Sequence, residues 1–177
     1  TRPQPRSRRR GDATTSQVPL TSADLRDVLD LDTTTFPSPV EVDELVDLPF
    51  PLTWERALGV TVEREDADAP PVDGARPVRR ELVGMHASYP FARFPVPGAT
   101  APVAGLTWVG VHPAHRRRGI LSAMIDTHLA RCRERGEPVS ALFAAEAAIY
   151  GRFGYGLSLR HISRCRRRRD CTSPCWP

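Results

Sequence analysis

The segment VGVHPAHRRRGIL, residues 109–121, concentrates more chemistry than any other stretch of the chain. It joins the end of an apolar run, a proline-bearing turn and three consecutive arginines, Arg116, Arg117 and Arg118, to Gly119 and the start of a helical apolar pattern. The first amides of a helix have no intrahelical acceptor, and with the helix dipole they form a natural seat for an anion. A glycine there lets the backbone approach a ligand closely, and guanidiniums add charge-assisted hydrogen bonds to phosphate oxygens. A pyrophosphate suits this pattern better than a carboxylate. Three arginines at a helix N-terminus oppose its dipole, which a bound anion would compensate; the competing reading is a solvated basic turn. A second chemical feature is Tyr150 in AEAAIYGRFGYG, a phenol able to donate a proton to a leaving group, with packing beside Phe153 and Tyr155 as the alternative.

Taken together, these motifs are specific. Arg116-Arg117-Arg118-Gly119-Ile120 resembles the acyl-CoA pyrophosphate loop of the Gcn5-related N-acetyltransferases, with Leu121 where that signature has a second small residue. With the lead-in AGLTWVGVHPAHRRRGIL and the later IYGRFGYG, residues 103–157 resemble the enhanced intracellular survival (Eis) family of acetyltransferases, in its N-terminal acetyltransferase region. The resemblance implies acetyl-CoA as acyl donor, with no metal. Arg116, Arg117, Arg118, Gly119, Ile120 and Leu121 would line the pyrophosphate site. The backbone at Val109 and Val111 would pair with the two amides of the pantetheine arm, as an added strand does. Trp108, with plain core packing on a central strand as its alternative, and less directly Trp54 would border the acceptor pocket, and Tyr150 would protonate the departing thiolate. The family's general base is a carboxylate at the far C-terminus, a part that the resemblance over residues 103–157 does not reach. His86, His112 and Glu146 are this chain's own candidates for a base acting through water, and none is preferred over a structural role. Longer members carry a second acetyltransferase-like region and a sterol-carrier-like domain and form hexamers, so a homo-oligomer is implied only for that full-length architecture.

The elements that must position these residues follow from periodicity. Thr21 and Asp24 have capping-box spacing ahead of Leu25, Val28 and Leu29, which predicts a helix over 21–32; Val40–Val46 is a weaker second helix. Leu58, Val60 and Val62 alternate with smaller or polar residues, predicting a strand with one polar face, and it pairs as a hairpin with a strand over 81–89 across the Pro/Gly loop 66–78. Four prolines predict an irregular connection over 90–102. Val103–Val111, the most continuously apolar stretch, is expected to be a central strand. Leu121, Met124, Ile125, Leu129 and Cys132 give a helix opening near Arg117 and stopping at Gly136. A short buried strand over 139–144 and a turn and a half of helix over 146–153, ended by Gly154, complete the pattern. This order implies an α/β (α+β) fold, with a mixed, mostly antiparallel sheet flanked by helices and lacking its last strands. The domain reading is an unstructured Arg-rich arm over 1–17, an acetyltransferase-like domain over 18–159, and an Arg/Cys-rich disordered tail over 160–177 that reads as a truncated or frameshifted end.

Composition narrows the classes. The 177 residues suit one domain, and 40% hydrophobic residues suffice for a core. All 25 basic residues are arginine; the five in residues 1–10 and six in 160–177, against the single acid Asp170, exceed the whole chain's net charge of +4, so the body is net acidic. That argues against a specific nucleic-acid partner and leaves weak polyanion binding to the ends. No apolar run is long enough to cross a bilayer, so no membrane partner is expected and a cytoplasmic setting is. His161, Cys165, Cys171 and Cys175 can be written as a zinc set, but their irregular spacing disfavours it. The function expected is acetyl transfer from acetyl-CoA to a primary amine, an aminoglycoside-like polyamine or a protein lysine, by direct attack in a ternary complex. The alternative is a non-catalytic CoA-binding or assembly fragment of a longer acetyltransferase.

Overall fold

The computed structural model describes residues 15–36, 38–66, 69–71 and 73–157. The expectations for the arm before residue 15, the zinc-type set and the tail 160–177 lie outside the described residues. In chain order the elements are β1 (Thr15–Pro19), α1 (Leu25–Thr35), α2 (Val42–Leu45), β2 (Ala57–Glu65), β3 (Val78–Val96), β4 (Ala99–Val111), α3 (Ile120–Glu134) and β5 (Val139–Ala141). Two 3-10 turns, Ala147–Ile149 and Gly151–Phe153, follow. The described residues up to Phe143 form one compact unit, and those from Ala144 belong to a second.

Five strands lie in sequence order, β1 to β4 antiparallel and β5 parallel to β4. This is the mixed, mostly antiparallel sheet read from the sequence. It starts earlier than expected: Thr15–Pro19, assigned to the unstructured arm, pairs along Leu58–Val62 of β2. β2 has no polar face over its first six residues. Ala57–Val62 is buried throughout, because flanking chain covers both sides of the sheet there.

Asp24 Oδ2 accepts from both the amide and the hydroxyl of Thr21 (2.7 and 2.8 Å), so the capping box forms, opening a 3-10 turn that leads into α1. Val28 and Leu31 of α1 pack with Leu20, Leu52, Ala57, Met85 and Ala87. Ile120 and Met124 of α3 pack with Val60, Val62 and Val83. Adjacent residues of a strand face opposite ways. Met85 faces the α1 cluster and a Cβ on its neighbour Gly84 would meet Ile120 and Met124, so α1 and α3 cover opposite faces of the sheet.

The connection expected over 90–102 is instead a ribbon: β3 and β4 stay paired out to Val96 and Ala99 around a Pro97–Gly98 turn. Prolines are tolerated where a strand nitrogen faces an open edge. Among the described residues that condition holds here, since β2 stops pairing with β3 at Ala87 and β5 reaches only Val103–Gly105 of β4. β5 is shorter than expected and half-exposed, as an edge strand is. No helix among the described residues is long and apolar enough to cross a membrane.

Candidate functional site

Two irregularities in β4 and the turn after it shape the site. Met85 pairs with Gly110 and Ala87 with Thr107, so Trp108 and Val109 together oppose the single residue His86. Such a bulge re-aims the strand. Trp108 carries the strain, at φ 52°, a left-handed conformation that a bulky residue rarely holds without compensation. The compensation is aromatic. Phe50 stacks on Trp54 (centroids 4.9 Å, 23°) and meets Trp108 edge-on (5.1 Å, 70°). The structure thereby brings the two sequence-named tryptophans together through Phe50, a residue that carried no sequence signal beyond its place in the PFP turn.

The second irregularity is where β5 stops. It pairs with Val103, Ala104 and Gly105, and β4 then runs on through Leu106–Val111 with no strand on that side among the described residues. The open edge is about 20 Å long at the usual strand rise. The side chains of Val109 and Val111 pack onto the α3 cluster, which leaves backbone groups, not side chains, to line it.

At the end of β4 the chain does not enter a helix at Arg117, as expected. His112 Nδ1 accepts the Ala114 amide (3.2 Å), Pro113–His115 makes one 3-10 turn, and His115 is buried as its anchor. Arg116 is then extended (φ −62°, ψ 157°), Arg117 left-handed (φ 64°) and Gly119 left-handed (φ 83°), and α3 begins at Ile120. The three arginines therefore sit on the turn before the helix, where they add to its positive end without occupying its first turn. All three are exposed and form no ion pair among the described residues. The first helical bond is Ala123 N–H to Gly119 O (3.0 Å). The amides of Ile120, Leu121 and Ser122 precede it in the first turn of α3, where a helix offers them no acceptor. Left-handed residues in such a run make a concave row of amides suited to an anion. A Cβ at Gly119 would meet nothing within 4 Å, so that face is open. The two charges of a pyrophosphate suit a donor set of first-turn amides and three exposed guanidiniums.

The three residues offered as a base fall in different surroundings. His86 is 2% exposed and stands edge-on to His128 (5.8 Å, 88°). Burial, then the neighbouring His128 and arginines, lowers its pKa to about 3, so it is a neutral interior group. The ring of His112 is engaged in its own turn. Glu146 is exposed and precedes the turn Ala147–Ile149.

Tyr150 belongs to the second unit. The helix expected over 146–153 is replaced by the two 3-10 turns, with Gly154 left-handed at their end (φ 88°), as the stop signal required. Three-residue turns suit this stretch because Gly151 interrupts it. Tyr150 is buried and meets the Tyr155 ring edge-on (5.8 Å, 75°). Burial, with the Glu146 carboxylate second, raises its pKa, which keeps the phenol protonated.

Comparison with known proteins agrees with this architecture. The acetyltransferase (GNAT) domain family matches residues 18–158. The chain belongs to the GNAT acetyltransferase family. It is 50% identical over 93 residues to N-acetyltransferase Eis of Mycobacterium tuberculosis, a stretch that is 49% of this chain and 23% of that protein. An uncharacterised N-acetyltransferase of Streptomyces avermitilis is 48% identical over 82 residues, 46% of this chain and 20% of its own length. Among solved structures, Eis1 from Mycobacterium abscessus superposes with a TM-score of 0.58 at 32% identity, covering 82% of this chain and 32% of that one. A predicted acetyltransferase from Clostridium acetobutylicum, solved with acetyl-CoA, shares the fold (TM-score 0.57, 12% identity, 83% and 93% of the two chains). The resemblance read from RRRGI and IYGRFGYG is thus borne out. The chain spans about a fifth to a quarter of the curated relatives.

Proposed function

We propose that this GNAT chain binds acetyl-CoA along β4 and transfers its acetyl group to a primary amine by direct attack. The observation that carries the reading is the continuity of two features: the β4 edge from Leu106 to Val111, which no strand among the described residues covers, leads directly into the turn before α3. A molecule with a two-amide arm ending in a pyrophosphate matches that sequence of needs, strand-like pairing first and anion binding second.

The first-turn amides of Ile120–Ser122 and the guanidiniums of Arg116, Arg117 and Arg118 hold the pyrophosphate, while Gly119, Ile120 and Leu121 supply close backbone approach. Val109 and Val111 pair through their main chain with the arm. Trp108, Trp54 and Phe50 wall the acceptor side, and the net acidic body draws in a cationic amine, an aminoglycoside-like polyamine or a protein lysine. The amine nitrogen, once neutral, attacks the thioester carbon; the C–S bond breaks, Tyr150 gives its proton to the departing sulfur, and the tyrosinate regains a proton from water. The proton of the former amine leaves to water. Tyr150 rests on the family resemblance and on a pKa that keeps it protonated. A cytoplasmic setting accords with the buried, unpaired Cys132. Calorimetric titration of the chain with CoA tests the binding half of the reading: saturable one-to-one binding, weakened by salt, supports it, and no heat at millimolar CoA refutes it.

A further inference from the structure

β5 is held by very little sheet. It makes three pairs with β4 in a parallel ladder, the weaker kind, and its far edge has no strand among the described residues. Yet its position relative to β4 decides where the opening after Gly105 begins. Two part-buried polar contacts grip it from other elements.

The first is at its entry. Arg56, in the turn Trp54–Arg56, reaches Glu137 with bonds of 2.7 and 2.9 Å from Nη2 to the two carboxylate oxygens. The same guanidinium donates through Nε to the carbonyl and hydroxyl of Ser88 on β3 (3.1 Å each). Its side chain is 11% exposed and that of Glu137 8%. A buried pair of this kind adds little net stability over apolar packing, but its fixed fork specifies geometry. Glu137 is set by the end of α3: its amide bonds Cys132 O (2.9 Å) and that of Gly136 bonds Arg133 O (3.1 Å), the paired bonds of a Schellman cap.

The second grip is at the centre of the strand. Ser140 Oγ lies 2.8 Å from His128 Nε2 on the buried face of α3. Cys132 Sγ is 3.5 Å from the same nitrogen, and the His86 ring stands edge-on to His128. His86 is in turn the residue that faces the Trp108–Val109 bulge. The chain of contacts therefore runs from the bulge to β5 through two buried imidazoles, and from the aromatic turn to β5 through Arg56.

We propose that Arg56 and His128 are positioning residues that hold β5 at its entry and its centre, and so set the width of the opening beside β4 that receives the arm of the acyl donor. The proposal rests on the acetyl-CoA reading of that opening. It distinguishes the arm from the pyrophosphate, since neither contact touches the turn at Arg116–Gly119.

The test uses the full chain, with Ser140→Ala, Ser140→Thr and Arg56→Lys, and calorimetric affinities for CoA and for 3′-phospho-ADP, which keeps the pyrophosphate and lacks the arm. Ser140→Ala and Arg56→Lys are expected to weaken CoA about tenfold, the scale of one lost buried hydrogen bond, while 3′-phospho-ADP binds within about twofold of the parent. Ser140→Thr, which keeps the hydroxyl, restores CoA affinity. Ser140→Ala removes a single oxygen from a half-buried site and decides the matter if Arg56→Lys fails to fold. Equal losses for both ligands, or unchanged CoA affinity in Ser140→Ala, overturn the proposal. A parent chain that binds neither ligand overturns the acetyl-CoA reading itself, and shows it before any variant is made.

Discussion

Gly119→Ala separates ligand binding from backbone strain, because the structure contains its own control. Gly119 and Gly136 flank α3 with similar left-handed angles, φ 83° and 69°, and a Cβ at either would meet nothing within 4 Å. An alanine at each position therefore pays the same kind of cost, about 1–2 kcal/mol for a left-handed L-residue, partly offset by the reduced entropy of its unfolded chain. A net loss of about 1 kcal/mol lowers the melting temperature of a chain this size by about 2–4 °C. The two variants should melt alike. They should differ in affinity, because only the methyl at Gly119 projects where the pyrophosphate must approach the amides of Ile120–Ser122. Losing one or two charge-assisted hydrogen bonds there corresponds to about 2–3 kcal/mol, or roughly 30- to 150-fold weaker CoA binding. Thermal melts and calorimetric CoA titrations of the two variants side by side supply both readings. Equal CoA affinities in Gly119→Ala and Gly136→Ala would refute the assignment of the turn before α3 as the pyrophosphate seat.

Arg117→Glu replaces an exposed cation of that turn with a repelling anion and should weaken CoA binding by about 2 kcal/mol or more without lowering the melting temperature; unchanged calorimetric affinity would count against the turn. Tyr150→Phe should keep CoA affinity and lower turnover by about 10²-fold, and a variant turning over at the parent's rate would return Tyr150 to packing against Tyr155. His86 and His128 have folded pKa values lowered to about 3 and about 4, so the unfolded chain binds more protons between these values and about 6.5. Stability should therefore fall as pH drops from about 6.5 toward 4, and His86→Leu should flatten that fall; a melting temperature that stays level across the window contradicts the buried neutral pair.

Motifs with a local physical cause were legible in the sequence. The Thr21–Asp24 box, the stop at Gly136, the stop at Gly154 and the apolar run of β4 each depend on near neighbours, and each stands where its residues put it. What was not legible depends on which strand lies alongside. The proline-rich stretch after Pro90 is a ribbon because its edges are open, and Thr15–Pro19 is a strand because β2 offers an edge to it. Neither fact leaves a period in the sequence. α3 starts three residues later than the periodicity predicts because Arg117 adopts a left-handed angle that its side chain does not advertise. The same holds at the site. RRRGI and Trp108 declared themselves by type, whereas Phe50, Arg56 and His128 acquire their places only through contacts with residues far along the chain.

Acetyl-CoA-dependent N-acetylation, the function proposed for this chain, is read out as amine-dependent release of free CoA thiol. With acetyl-CoA and a panel of polyamines and lysine peptides, thiol release is expected to saturate in both substrates, with one acetyl group per thiol appearing on the amine by mass spectrometry and no acetylated enzyme intermediate. CoA binding without thiol release from any amine in the panel would contradict it, and would identify the chain as a CoA-binding module instead.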